Sequence, residues 1–332
     1  MKGARQSVRA DSQLLIVSIL KSIKWKILLR PFDTPVTPRS RCLLYAALSY
    51  VLWGLFPVYF KLLQSVPAIE VVAHRVIWSL AFLLSVLVFR RQWGWIVPAL
   101  GQPRIVLGFL ASALALSANW ILFVWGVSVG RIVDVSLGYF INPLVNVLIG
   151  AVFLQERLHD RQWIAVGLAA AGVGWLTFQF GEVPWLGLAL AASFGSYGLL
   201  RKTARLGPLE GLTLETAVLS PVAVAFLAYV TCENHGQFMP ASTLSAWLLA
   251  ASGPVTALPL LLFAAGARGI SFSTLGILQY FAPSLQLLIG VLLYGEPFGY
   301  TRAVGFGLIW LGLAIYTAEG VYRSLREQER GG

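Results

Sequence analysis

Residues 136–158 read SLGYFINPLVNVLIGAVFLQERL, and residues 273–297 read STLGILQYFAPSLQLLIGVLLYGEP. Moving the first stretch forward by 140 positions lays Pro143 on Pro283, Leu148, Ile149 and Gly150 on Leu288, Ile289 and Gly290, and Glu156 on Glu296. The same offset carries Leu122, Phe123 and Gly126 onto Leu262, Phe263 and Gly266, and Gly167, Leu168 and Gly172 onto Gly307, Leu308 and Gly312. At 141, Gly54 falls on Gly195, Lys61 on Lys202, Pro67 on Pro208 and Ser79 on Ser220. Leucine matches come cheaply in apolar sequence, whereas proline, glycine and glutamate matches at a constant offset do not. The chain is predicted to be two copies of one unit.

The units are strings of apolar runs. Of the 332 residues, 58% are hydrophobic and 12% charged, about half the charged share of a soluble domain. This excludes a soluble globule and a disordered chain. The runs are continuous, with no period of two, which argues against a transmembrane β-barrel. Spans are expected at 42–63, 70–89, 105–126, 132–153, 162–180, 184–200, 211–231, 246–267, 272–293 and 301–319, each close to the length that crosses a bilayer. Five spans per copy is an odd number, so the second copy enters the membrane from the opposite side and the repeats are inverted. The expected fold is an all-α integral membrane protein of ten helices. It divides into a basic extension (1–41), two repeats (42–180 and 181–320) and a tail (321–332).

A net charge of +11 raises the question of nucleic acid, but the basic residues form no single stripe. With the N-terminus inside, 21 of the 25 Lys and Arg residues fall on the inner side, three (Lys61, Arg131, Arg302) on the outer side, and Arg75 within a span. This asymmetry places both termini in the cytoplasm and matches the inner-side charges to anionic lipid head groups. Residues 1–41 combine short apolar runs with nine basic residues and lack an A-x-A-like cleavage site. They are expected to be a surface-lying or disordered extension, or else a stretch upstream of the functional start. Cys42 and Cys232 are expected on opposite sides of the membrane, where they cannot pair.

No GxxxxGK[ST], no HExxH and no His/Cys cluster occurs, so ATP hydrolysis, metal chemistry and a bound cofactor are not expected. No nucleophile beside a base can be placed, and an enzyme is not expected. Three groups of polar residues remain. Glu70 and His74, four apart on the second span, share a face with Arg75 next to them; ionisable groups in lipid need a cavity or a partner. Either His74 and Arg75 serve proton coupling or substrate contact, or Glu70 pairs with Arg75 near the outer interface. Glu215, at the position equivalent to His74, is the second coupling candidate.

The third group is uncharged. Tyr139, Asn142 and Asn146 lie three and four apart around Pro143, and Gln279 and Gln286 flank Pro283, with Tyr139 mapping onto Gln279 and Asn146 onto Gln286. Asn119, Trp120, Phe123 and Tyr280 would complete an amphipathic cavity suited to a neutral or zwitterionic small molecule. The alternative is that these amides glue helices together. Asp134 at the start of the fourth span suits a helix N-terminus, and Glu156 and Glu296 mark helix ends and matter to folding.

Inverted repeats around a shared site are the architecture of secondary transporters working by alternating access. A channel or lipid scramblase is the alternative. The blocks YVLWGLFPVYFKLL from Tyr50, EVVAHRVIWSL from Glu70, NWILFVWGV from Asn119 and the two stretches quoted above resemble the RarD group of the EamA family, in the drug/metabolite transporter superfamily. The resemblance covers about residues 42–320. It implies a ten-helix transporter of the bacterial inner membrane, an exporter of small organic metabolites or drugs, historically linked to chloramphenicol sensitivity. The extension at 1–41 departs from that group's short start.

Overall fold

The computed structural model describes residues 39–153, 160–202, 205–233, 243–267 and 278–331. These residues form helices and connecting turns, with no strand among them. In chain order the helices are α1 (Arg39–Gly54), α2 (Phe56–Lys61), α3 (Ala68–Arg90), α4 (Ile96–Leu100), α5 (Pro103–Ser128), α6 (Ile132–Phe153), α7 (Asp160–Phe180), α8 (Trp185–Lys202), α9 (Pro208–Cys232), α10 (Thr243–Ala267), α11 (Phe281–Leu288) and α12 (Tyr300–Gly331). Seven stretches of described helix are long and apolar enough to cross a membrane: Ser40–Lys61, Ala68–Arg90, Pro103–Ser128, Asp160–Phe180, Pro208–Cys232, Leu244–Phe263 and Tyr300–Glu319. The outer surface is itself greasy, with Phe178 83% and Leu292 77% exposed, as a lipid-facing surface requires.

The first expected span is broken between Gly54 and Phe56. Pro57 has no N–H for the Trp53 carbonyl, four residues earlier, and the Gln286 amide of α11 donates to that oxygen at 3.2 Å instead. The connection after α3 contains the short helix α4, which hydropathy did not foretell. The last helix runs on through the expected tail to Gly331. Beyond α11 the chain widens into a π turn over Ile289–Leu293, closed by a bond from the Tyr294 N–H to the Ile289 carbonyl at 3.1 Å. Residues 1–38, Glu156 and the first part of the ninth expected span lie outside the described residues.

Helices α7 and α12 pack together, as do α3 and α9, and α6 and α11. Helix α8 packs on α5 and α6, while α1 packs on α10 and α11; α10 also crosses α3, and α9 meets α5. Small residues permit the close crossings. A Cβ on Gly172 of α7 would stand 2.7 Å from the Gly305 carbonyl of α12, and one on Gly312 of α12 would stand 2.7 Å from the Ala165 carbonyl of α7. A Cβ on Gly54 would meet Leu285 Cβ of α11 at 2.8 Å, and one on Gly195 of α8 would meet Val145 Cγ1 of α6 at 3.2 Å. At Gly253 the backbone of α10 lies directly on that of Trp78 and Ser79 in α3, with the Ser79 hydroxyl donating to the Gly253 carbonyl at 3.5 Å.

Candidate functional site

The α3–α10 crossing holds the one fully buried Lys or Arg among the described residues. Arg75 is 3% exposed, roughly 10 Å along α3 from its start. Its Nε donates to Thr256 Oγ1 of α10 at 2.6 Å. The guanidinium carbon lies 4.0 Å from the centre of the Trp120 ring, 5.1 Å from Phe60 and 5.5 Å from Phe56, so three aromatic faces surround the cation. Its Nη1 is buried without a hydrogen-bond acceptor among the described residues. The pairing of Arg75 with Glu70 weighed above is not what the fold makes: the hydrogen-bond partner of Arg75 is the Thr256 hydroxyl.

Beside it runs a chain of neutral polar groups. The Tyr139 hydroxyl donates to Asn119 Oδ1 at 3.2 Å, and Asn119 Nδ2 donates to the Leu190 carbonyl at 3.1 Å and to Ser193 Oγ at 3.2 Å, tying α6, α5 and α8 together. Phe123 lies 6.1 Å from the Tyr139 ring and also meets Phe56 and Phe60. Four of the aromatic and amide candidates, Asn119, Trp120, Phe123 and Tyr139, thus stand together around Arg75. Tyr59, which the sequence reading passed over, joins them and donates to the Leu248 carbonyl of α10. Its place four residues before Leu63 in an apolar helix carried no signal of this.

The other candidates lie elsewhere. Asn142 is buried, with an Oδ1 that has no hydrogen-bond donor among the described residues. Asn146 is exposed and sits against Gly195. Gln286 is committed through its amide nitrogen to the kink at Trp53, its Oε1 buried without a donor among the described residues. Gln279 is half-buried, and Tyr280 turns toward α12, where it packs near Tyr316 and bonds Thr317.

His74 and Glu70 point away from Arg75, into a mostly apolar cleft of about 440 Å³ between α3 and α9, lined also by Trp78, Leu227 and Thr231. Glu215, 1% exposed on α9, accepts from Ser112 Oγ of α5 at 2.6 Å and lies 3.8 Å from Arg201 Nη1 of α8. Arg201 in turn crosses the bare backbone at Gly211, a position where a Cβ would collide with it. Two of the coupling candidates therefore differ in kind: Glu215 has a fixed counter-ion, and Arg75 has none among the described residues.

A second polar layer closes one end of the bundle. Glu296, delivered by the π turn, accepts from the N–H groups of Ile132 at 2.7 Å and Val133 at 2.8 Å, capping α6. Lys61 donates to the carbonyls of Val127 and Ser128 at 3.0 and 3.2 Å, capping the preceding end of α5. Asp134 pairs with Arg131 at 2.7 Å and lies 3.6 Å from Arg302. Burial pushes the Glu296 carboxyl above the usual carboxylate range, against the opposing pull of the Val133 and Ile132 N–H groups. Arg161 pairs with Glu319 at 2.9 Å, joining α7 to α12. Neither cysteine forms a disulfide among the described residues, and Cys42 is buried while Cys232 is exposed. Among the described residues no three His, Cys, Asp or Glu side chains converge as a metal site would need.

If the Tyr139–Asn119–Ser193 chain holds three helices, the two substitutions should separate. Tyr139→Phe removes one neutral bond and should cost about 1 kcal/mol, while Asn119→Leu strands several groups and should cost about 2 to 3 kcal/mol. Denaturant unfolding of the purified variants in one detergent measures both. Equal losses would mean the chain is not the connector.

A bundle with seven membrane-length helices among its described residues, an apolar outer surface and buried polar clusters at helix crossings defines a multi-pass helical membrane protein. The comparisons with known proteins then narrow the class. The EamA-like transporter family model matches residues 40–178 and again 183–318. The "Uncharacterized transporter YojE" of Bacillus subtilis is 45% identical over 82% of this chain and 92% of its own length. "Protein RarD" of Escherichia coli is 40% identical over 85% and 96%, and "Chloramphenicol-sensitive protein RarD" of Pseudomonas aeruginosa 35% identical over 85% and 95%. A solved crystal structure at 20% identity shares the fold with a TM-score of 0.54, covering 84% of this chain and 97% of the other. The chain belongs to the EamA-like transporter family, among the relatives that carry the RarD name, and is a membrane transporter.

Proposed function

We propose that the protein is a secondary transporter that moves small organic molecules outward by alternating access between two inverted five-helix repeats, 42–180 and 181–320. Its ten spans lie in a bacterial inner membrane with both termini cytoplasmic. The solute binds between the repeats, against Arg75, Trp120, Phe123, Tyr139 and Asn119, with no enzymatic step.

The observation that carries this reading is the reciprocity of the glycine contacts. Adding 140 to the residues of the Gly312–Ala165 contact turns Ala165 into Gly305, and subtracting it turns Gly312 into Gly172, which is the other observed contact. The Gly54–Leu285 contact converts likewise into Gly195–Val145, with 141 added to Gly54 and 140 subtracted from Leu285. A pseudo-two-fold axis relating the halves accounts for both. The neighbours obey it too: α3 with α9, α6 with α11 and α7 with α12 are self-related pairs, and α8 on α5 answers α1 on α10. The double match of one family model to the two halves supports the same symmetry. A pseudo-two-fold axis gives two closures of equal design related by rotation, which is what alternating access needs.

The test is solute counterflow in proteoliposomes of the purified protein. Chloramphenicol, for which one relative is named, is the first labelled probe, followed by a metabolite mixture. A carrier accumulates label transiently against preloaded unlabelled solute and saturates. A channel or scramblase yields no counterflow, and that outcome would replace the carrier reading. For topology, a C-terminal alkaline phosphatase fusion should be inactive and a C-terminal fluorescent fusion bright. The reverse pattern would require an odd number of spans.

A further inference from the structure

Arg75 is the one Lys or Arg among the described residues that is fully buried, and its guanidinium lacks any fixed anionic partner there. We infer that this guanidinium binds the carboxylate of the solute, an organic anion with an aromatic or otherwise apolar body. The inference rests on the carrier reading above and names the substrate class of that site.

A guanidinium is a permanent cation with five N–H donors in a planar fork that matches a carboxylate. Here one donor, Nε, is spent on Thr256, and Nη1 is buried with no acceptor among the described residues. A charge held inside an apolar bundle is costly unless it is paired, and the rings of Trp120, Phe60 and Phe56 offset only part of that cost. The nearby phenols are engaged elsewhere, Tyr59 on the Leu248 carbonyl and Tyr139 on Asn119. The protein therefore keeps the cation and leaves its counter-ion to be supplied from outside.

Two comparisons within the molecule sharpen this. Glu215, another deeply buried charge, is answered by Arg201 and Ser112, so the fold does build fixed counter-ions where a charge serves packing. The position equivalent to Arg75 in the second repeat is Thr216, whose hydroxyl is spent on its own helix, at the Leu212 carbonyl. Only one repeat carries the cation, which sets one anion per carrier. The walls around it are aromatic, which suits an apolar body attached to the carboxylate and not a bare inorganic ion.

The test uses the purified full-length protein in detergent, its melting followed during titration with benzoate, octanoate and indole-3-acetate. The neutral isosteres benzamide, octanamide and indole-3-acetamide are the controls, with chloride and sulfate at matched ionic strength. At least one carboxylate should raise the melting temperature saturably while its amide and the inorganic salts do not. Arg75→Met and Arg75→Gln should abolish that shift and leave the ligand-free protein as stable as before or more so, because an unpaired buried charge is gone. Arg75→Lys should keep the shift with an affinity on the order of tenfold weaker.

The proposal is overturned if acid and amide shift the melting alike, if chloride alone reproduces the shift, or if Arg75→Met retains it. It is also overturned if Arg75→Met melts far lower without ligand, which would make the guanidinium a structural tie. Counterflow keeps the two readings apart. Saturable counterflow of a labelled carboxylate at the same rate in wild type and Arg75→Met sinks the carboxylate site and spares the carrier. Arg75-dependent carboxylate binding with no counterflow of any solute sinks the carrier instead.

Discussion

Gly253→Ala should be among the most damaging single-methyl additions in the protein. The added carbon would fall on the main chain of Trp78 and Ser79 in α3, and main chain cannot rotate aside as a side chain can. Overpacking of this kind costs about 3 kcal/mol or more, and the displaced α10 would also carry Thr256 away from Arg75. By contrast Gly108→Ala and Gly167→Ala meet nothing within 4 Å and should stay within about 1 kcal/mol of wild type. The folded fraction after solubilisation, compared across the three variants, measures the difference. If Gly253→Ala behaves like the other two, the α3–α10 crossing is looser than described.

Glu296→Ala should follow closely. It leaves two buried N–H groups, those of Ile132 and Val133, without an acceptor at a helix end where both residues are fully buried. Two charge-assisted bonds at about 1.5 kcal/mol or more each put the loss at about 3 kcal/mol. Glu296→Gln keeps a single amide oxygen and should lose about half of that. Lys61→Met, at the other side of the same turn, should cost less because Lys61 and Ser128 are themselves only half-buried. Thermal unfolding in detergent gives the order, and equal losses for Ala and Gln at position 296 would remove the cap from the account.

Much of the framework was legible in the sequence. The offsets that aligned Gly54 with Gly195 and Gly172 with Gly312 are the offsets that relate their contacts in space, because a close crossing needs a glycine in both copies. That Glu296 stands at a helix end was legible from its repeat position. Its partner was not, since Ile132 lies 164 residues away and hydropathy carries no information about which helix end meets which carboxylate. The orientation of Arg75 was misjudged in one of two alternatives. Five residues along a helix turn the side chain by roughly 140°, so Glu70 and Arg75 cannot share a face as Glu70 and His74 do. Tyr280 and Asn146 sat at the right period for a common polar face. Their surroundings depend on how α12 and α8 pack, and that is set by the whole bundle.

The turn between α5 and α6 also places a clock in the chain. Its two helix ends are held by Lys61, which is made before them, and by Glu296, which is made 164 residues after Ile132. At roughly 5 to 20 residues per second, synthesis reaches Glu296 on the order of ten to thirty seconds after α6 has begun to leave the ribosome. For that interval the start of α6 has its own Asp134 and Arg131 but no cap from Glu296. The first half is thus built to wait for the second, and the two halves expressed as separate chains should depend on each other to survive in the membrane.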